Sequence, residues 1–177
     1  MKIRTGAAFP TVLTIAAICV GLALAGSLLA QTSNVTTTPV PPKLHASAIQ
    51  IEVMDPGDLA IPPDFRIAEY EYLVEQVVKT GKFQKVYRSG DKRAEGVADL
   101  VVLRTTAESF KKGSEKAREV TTVGGWTSIK LKAQFVDRSG KVVLEREAEG
   151  KVRFFGGNLN ACYDFAKKVA GFVAESY

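Results

Sequence analysis

The sequence is poor in the side chains that most often bind metals or act as nucleophiles. Its 177 residues include one histidine, two cysteines and one tryptophan. His45 and Cys162 have no partner at a motif spacing, so neither belongs to a metal-binding or Cys–His catalytic pattern. The glycine pairs lack the lysine or third glycine of a phosphate-binding loop. The sequence therefore predicts no enzyme and no catalytic, metal-binding or cofactor-binding residue.

The first thirty residues carry no acidic side chain and contain one long apolar run. Two basic residues precede this run, which extends over residues 12–24 and ends among small residues. Positive charge followed by apolar and then small residues is the pattern of a secretory signal peptide. We assign residues 1–30 to this leader, with cleavage after Ala25 or Ala30. The alternative is that the run stays uncleaved and anchors the chain in the inner membrane.

The cysteines and the net charge bear on location and partners. Cys19 lies inside the apolar run and not at its end, so a lipoprotein is not predicted. Loss of the leader leaves Cys162 as the single thiol, which excludes an internal disulfide. It also removes Lys2 and Arg4, which lowers the net charge from +5 to +3. This mild charge predicts no nucleic-acid partner, and membrane contact is predicted only through an uncleaved leader. The predicted location is the periplasm or the medium.

Composition divides the remainder into a linker and one domain. Residues 31–45 are rich in Thr and Pro without apolar periodicity, which predicts a flexible tether. Residues 46–177 are enough for one hydrophobic core.

Apolar periodicity in the domain predicts an α+β fold with the order β-α-β-β-β-β-α. Alternation predicts strands, and three- or four-residue spacing predicts two amphipathic helices packed on a mostly antiparallel or mixed sheet of four to five strands. The predicted strands before the hairpin cover residues 46–54, 83–88 and 98–105, the first helix covers 64–80, and a last helix follows Asn158 as its cap. Residues 107–120 are predicted as a strand end and a loop. The strand over 98–105 is apolar on both faces, which favours the centre of the sheet.

Two alternating runs between Trp126 and Phe155 predict a β-hairpin with Ser139 and Gly140 in its turn. With these two residues as the turn, each residue of the first strand lies opposite a fixed residue of the second. One face of the hairpin is then apolar, and the other pairs opposite charges. The predicted pairs are Lys130–Glu149, Leu131–Ala148, Lys132–Glu147, Ala133–Arg146, Gln134–Glu145, Phe135–Leu144 and Val136–Val143. Arg146 is the one charged residue on the apolar face.

Several of these segments together resemble a known family. They are GKFQKV over residues 81–86, ADLVV over 98–102, FVDRSGKVVL over 135–144 and the closing helix. This pattern is similar to that of bacterial envelope proteins grouped as domain of unknown function 4410 (DUF4410). The resemblance covers residues 46–177, rests on structural motifs and implies an envelope protein. Many members look like lipoproteins, from which this chain departs because it lacks a well-placed lipid cysteine.

Basic residues and the tryptophan form the candidate binding surface. Its first group is Lys79, Lys82, Lys85, Arg88, Lys92 and Arg93, its second is Lys111, Lys112, Lys116 and Arg118, and Trp126 completes it. If the fold brings both groups together, they can hold an anionic envelope polymer or lipid head groups. The alternatives are solvated faces for the groups and, for Trp126, a cap on the end of the sheet.

The function predicted from these observations is that of an exported, non-catalytic module that binds or assembles with a protein or cell-wall partner. An edge strand, a loop or the basic surface would make the contact. One alternative is a carboxylate-dependent enzyme acting on an envelope polymer, which requires Asp99 or Asp164 to face a second acid. The other is a small-ligand carrier with an apolar cavity between sheet and helices. Glu69, Glu71 and Glu75 are predicted as solvated or ion-paired surface.

Overall fold

The structure, a computed structural model of the full chain, describes residues 43–120 and 124–177. The predicted leader and most of the predicted linker lie outside these residues. The described elements are β1 (Ala48–Ile51), α1 (Pro63–Thr80), β2 (Lys85–Arg88), β3 (Leu100–Lys111), α2 (Glu115–Val120), β4 (Thr127–Val136), β5 (Val142–Val152) and α3 (Asn160–Ser176). The predicted α+β class and element order are confirmed, with α2 and a short 3-10 helix over Lys92–Ala94 in addition.

The five strands form one mixed sheet in the order β2-β1-β3-β4-β5. β1 runs parallel to both β2 and β3, while β4 runs antiparallel to both β3 and β5. β3 therefore occupies the centre, as its apolar sequence predicts. It continues to Lys111, into the segment predicted as a strand end and a loop.

The hydrophobic core lies between one face of the sheet and the helices α1 and α3. Phe65 of α1, Phe135 of β4 and Phe165 of α3 are completely buried there. Gly150 of β5 allows α3 to approach closely, because a side chain at this position would overlap the Ala161 carbonyl oxygen. The opposite face of the sheet carries charged and polar side chains, so the fold has two layers.

The hairpin register is confirmed except beside the turn. Six of the seven predicted pairs are observed, but Val136 lies opposite Val142 and not Val143. The reason is the turn, in which Gly140 has a φ of 84° and the Asp137 carboxylate accepts hydrogen bonds from the backbone N–H groups of Ser139 and Lys141. This longer loop with a left-handed glycine shifts the register by one residue.

Three local predictions need correction. Three- and four-residue spacing predicts Val78 in the apolar stripe of α1, but it lies on the exposed side, whereas Glu69 takes a place in the buried stripe. Residues 115–120, predicted as loop, form α2. Asn158 does not cap α3, whose first helical residue is Asn160; its side chain binds other loops instead.

Candidate functional site

Two loop segments meet at one end of the sheet. Lys111 of β3 pairs with Ser128 of β4, and Thr127 of β4 pairs with Val152 of β5, so these strand ends are neighbours. We call the loops beyond them the tip, comprising residues 111–120, 124–126 and 151–160. They lie far apart in sequence but touch one another.

Arg118 connects the tip loops from inside. Its guanidinium is buried and donates hydrogen bonds to the carbonyl oxygens of Gly125 and Gly156, over 2.6 and 2.9 Å, and to the Asn158 side-chain oxygen over 2.9 Å. All three acceptors are neutral oxygens. One arginine therefore fixes the loop before β4 and the loop before α3 in a common position.

Further hydrogen bonds complete this connection. The Thr127 hydroxyl donates to the Asn158 side-chain oxygen over 2.6 Å and accepts from the Gly113 backbone N–H over 2.9 Å. The Glu115 carboxylate accepts from the Asn158 backbone N–H over 2.9 Å. Gly125, with a φ of 79°, lies against the start of α2, where a side chain would collide with the Ser114 carbonyl oxygen. The loops are thus closely packed against each other.

The outer surface of the tip is apolar to an unusual degree. Phe155 is 87% exposed and Phe154 is 55% exposed, although large apolar side chains are normally buried. Val120 is 84% exposed and Trp126 is 39% exposed. The Lys111 ammonium lies 3.6 Å from the centroid of the Trp126 ring, a cation–π arrangement. Aromatic and cationic side chains therefore share this surface.

The tip also concentrates the positive charge of the chain. It contains six Lys and Arg residues against Glu115 and Glu119. Once the leader is set aside, the rest of the chain is close to neutral, since the whole sequence carries +5 including Lys2 and Arg4.

The two predicted basic groups do not form one surface. Lys85 and Arg88 of β2 lie level with Leu100 and Leu103 of β3, whereas Lys111 ends that strand. At about 3.3 Å per residue, the second group lies roughly 25–35 Å farther along the sheet. The charges of the two groups therefore do not add up to the electrostatic potential of a single basic patch.

Ion pairs and burial further distinguish the predicted residues. Lys79 pairs with Glu75, Arg88 with Glu71 and Arg93 with Asp91, all near the first group, while Arg118 is interior. Hydrogen bonding from Arg88 lowers the pKa of Glu71. Lys82, Lys85, Lys92 and Lys116 lie on or near the surface. Trp126 is 39% exposed and directly precedes β4.

Several acids of the surface pair with cations. The Lys130 ammonium lies 2.8 Å from a Glu108 oxygen and 2.6 Å from a Glu147 oxygen on the open face of the sheet. Hydrogen bonding from Lys130 lowers the pKa of Glu147. Asp164 binds Lys168 and the Lys151 backbone N–H. Among the described residues, no group of three or more His, Cys, Asp and Glu side chains could hold a metal ion.

Glu69 is the exception among the acids. It is 0% exposed between α1 and the sheet, and neither carboxylate oxygen has a hydrogen-bond partner among the described residues. Burial raises its pKa to about 8, and the neighbouring Thr105 hydroxyl opposes this rise only in part. The prediction of a solvated Glu69 is therefore wrong. A protonated side chain fits this environment because it loses less hydration than a carboxylate.

The single described thiol is interior. Cys162 is completely buried on α3, and its sulfur lies 3.5 Å from the Phe65 carbonyl oxygen. Burial raises the pKa of this thiol to about 12. It packs as a small apolar side chain and not as a nucleophile. His45, by contrast, is exposed.

The exposed Phe154–Phe155 pair was not predicted as part of a site. The sequence did contain a signal, because consecutive strand residues point to opposite faces and the pair is followed by two glycines. Two adjacent phenylalanines at the end of a strand cannot both face the core. That the tip carries both on its surface depends on the loops held by Arg118.

No protein-family model matches the sequence, and no curated protein matches it. Solved structures do match. PelC from Paraburkholderia phytofirmans, crystallised as a dodecamer, is 16% identical with a TM-score of 0.55, and the alignment covers 75% of this chain and 91% of PelC. A variant of that PelC gives 15% identity and a TM-score of 0.54 over 75% and 90% of the two chains.

Protein XCC0632 from Xanthomonas campestris, of family DUF330, is 12% identical over 77% of this chain and 84% of its own, with a TM-score of 0.43. That score is too low to support an argument. No helix within the described ranges combines the length and apolar character needed to cross a bilayer. What the comparisons establish is the fold: the chain shares the α+β architecture of PelC.

Proposed function

We propose that the chain is an exported, non-catalytic module of the bacterial envelope that binds its partner through the tip. The observation that carries the proposal is the Phe154–Phe155 pair, exposed on loops that the buried Arg118 holds in place. Exposed aromatic side chains on fixed loops promote unspecific association when they have no partner, and in soluble proteins they typically mark a binding site. The export step rests on the predicted leader.

The alternative functions find less support in the described residues. Asp99 is exposed and Asp164 is bound to a lysine, so neither matches an acid that faces another in a deep pocket. The space between sheet and helices is filled by completely buried side chains such as Phe65, Phe135 and Phe165, and not by a ligand. The absence of a facing acid pair and of a ligand cavity among these residues agrees better with a surface interaction than with catalysis or with carrying a small ligand.

Envelope retention tests the proposal. Cells would express the full chain, a Phe154→Ser/Phe155→Ser variant and a matched Val78→Ser/Val142→Ser control, whose exposed valines lie at the opposite end of the sheet. After lysis, we expect the wild type and the control to sediment with the envelope and the phenylalanine variant to shift to the soluble fraction. Equal sedimentation of all three would contradict the proposal.

Self-assembly is a second candidate, favoured by the fold shared with a protein that crystallised as a dodecamer. β2 and β5 lie at the two edges of the sheet, where backbone groups are available for pairing with another copy. Sedimentation-velocity ultracentrifugation of the purified chain over a range of concentrations would reveal a defined oligomer. A single species with the mass of one chain throughout would exclude this function.

A further inference from the structure

We infer that the partner bound by the tip is the surface of an anionic lipid bilayer. This inference rests on the proposed function and specifies the partner. In the sequence-based predictions, a membrane was reached through an uncleaved leader, and lipid head groups were one conditional ligand of the two basic groups together.

The first argument is the combination of side chains. Phe154, Phe155 and Trp126 are partly or largely exposed, and aromatic rings are the side chains that settle at the boundary between lipid tails and headgroups. Lys111 lies over the Trp126 ring, and Arg153 directly precedes the phenylalanine pair. Rings that enter the headgroup layer would thus bring cations to the level of lipid phosphates.

The second argument is charge complementarity. Besides the buried Arg118, the tip holds five basic residues against two acidic ones, while the rest of the chain after the leader is nearly neutral. Basic residues beside a bilayer are attracted by the negative surface potential of anionic lipids, an attraction that adds up over several residues. A protein partner would need a matching acidic surface with a pocket for each ring, whereas a bilayer accepts protruding rings without such complementarity.

The third argument is shape. The tip lies at the end of the sheet with Phe154 and Phe155 exposed, and its loops are held by Arg118 in a fixed arrangement. The aromatic side chains therefore keep their exposed positions without a partner, and insertion into a headgroup layer does not require the loops to rearrange.

Trp126 provides the test, because it is the only tryptophan and lies in the tip. The full chain would be mixed with vesicles of phosphatidylcholine alone or with added phosphatidylglycerol, each carrying brominated acyl chains that quench tryptophan fluorescence on contact. We expect quenching with phosphatidylglycerol and little without it. We expect Phe154→Ser/Phe155→Ser to weaken vesicle binding by at least about tenfold, and Val78→Ser/Val142→Ser to leave it unchanged.

The readout separates the tip from the leader, since an inserted leader alone would not bring Trp126 into contact with the acyl chains. Quenching that does not depend on phosphatidylglycerol, or that persists in the phenylalanine variant, would overturn the inference. If envelope retention depends on Phe154 and Phe155 but no vesicle quenches Trp126, the partner is a protein or polymer. The proposed function would then stand while the bilayer would be excluded.

Discussion

Replacing Glu69 with glutamine should stabilise the protein at neutral pH and remove much of its pH dependence. Glutamine keeps nearly the size of the carboxyl side chain but cannot ionise. In the wild type, burial raises the pKa of Glu69 from 4.5 to about 8, so the folded state binds this proton more tightly than the unfolded state. The free energy of unfolding is therefore highest below pH 4.5, as far as this group is concerned, and falls as the pH rises towards 8.

The size of the effect follows from the two pKa values. Between pH 5 and pH 7 the wild type should lose about 2–3 kcal/mol through this one group. Glu69→Gln should thus be more stable than the wild type by about 3 kcal/mol at pH 7 and by less than about 1 kcal/mol at pH 5. Glu71 and Glu147 have lowered pKa values and act in the opposite sense, but only at more acidic pH.

Urea unfolding followed by circular dichroism at pH 5, 6, 7 and 8 measures these free energies. Glu75→Gln is the matched control, because Glu75 lies on the same helix but is exposed and paired with Lys79. The control should change stability by less than about 0.5 kcal/mol and retain the wild-type pH slope. If Glu69→Gln also retains that slope, Glu69 does not lie buried and unpaired beneath the sheet, and the reasoning fails.

Three further changes test other parts of the structure. Gly150→Ala should destabilise the protein by about 3 kcal/mol or prevent folding, because a side chain there overlaps the backbone of α3. Gly171→Ala is the matched control: it has open space around it and should stabilise the protein by about 0.5–1 kcal/mol. The midpoints of urea unfolding would show both changes. Arg118→Ala should lower the free energy of unfolding by about 2 kcal/mol and accelerate amide hydrogen exchange in the tip more than in the sheet. Equal acceleration in both would show that Arg118 does not hold the tip loops. In a Cys19→Ser background, Cys162 should react with a thiol reagent only after unfolding, and rapid labelling of the native protein would contradict its burial.

The parts of the fold that could be predicted from the sequence are those with a regular spacing of apolar residues. The alternating runs of the hairpin fixed six of seven residue pairs because both faces agree on one register, as at Lys132 opposite Glu147. The seventh failed because turn geometry at Gly140 is a local backbone property that side-chain alternation does not encode. Likewise, the buried stripe of α3, with Cys162 and Phe165, follows directly from helical spacing.

The candidate site was harder to predict, because it depends on contacts between distant segments. Arg118 has the sequence context of a solvated basic residue, and only its acceptors at Gly125 and Gly156 reveal that it is interior. Glu69 is a charged residue type, which predicts exposure, yet helical geometry turns its side chain towards the sheet. Neither the meeting of two loops nor the exact rotation of a helix is contained in a local pattern.

The way in which Arg118 joins its neighbours has a consequence for how the protein can diversify. The Phe154 and Phe155 side chains take no part in the hydrogen bonds beneath them, so these two residues can be exchanged without loosening the scaffold. Relatives with the same internal arginine could thus present different chemistry on one inherited platform. Replacing that arginine would instead alter every outward-facing group of the platform at once.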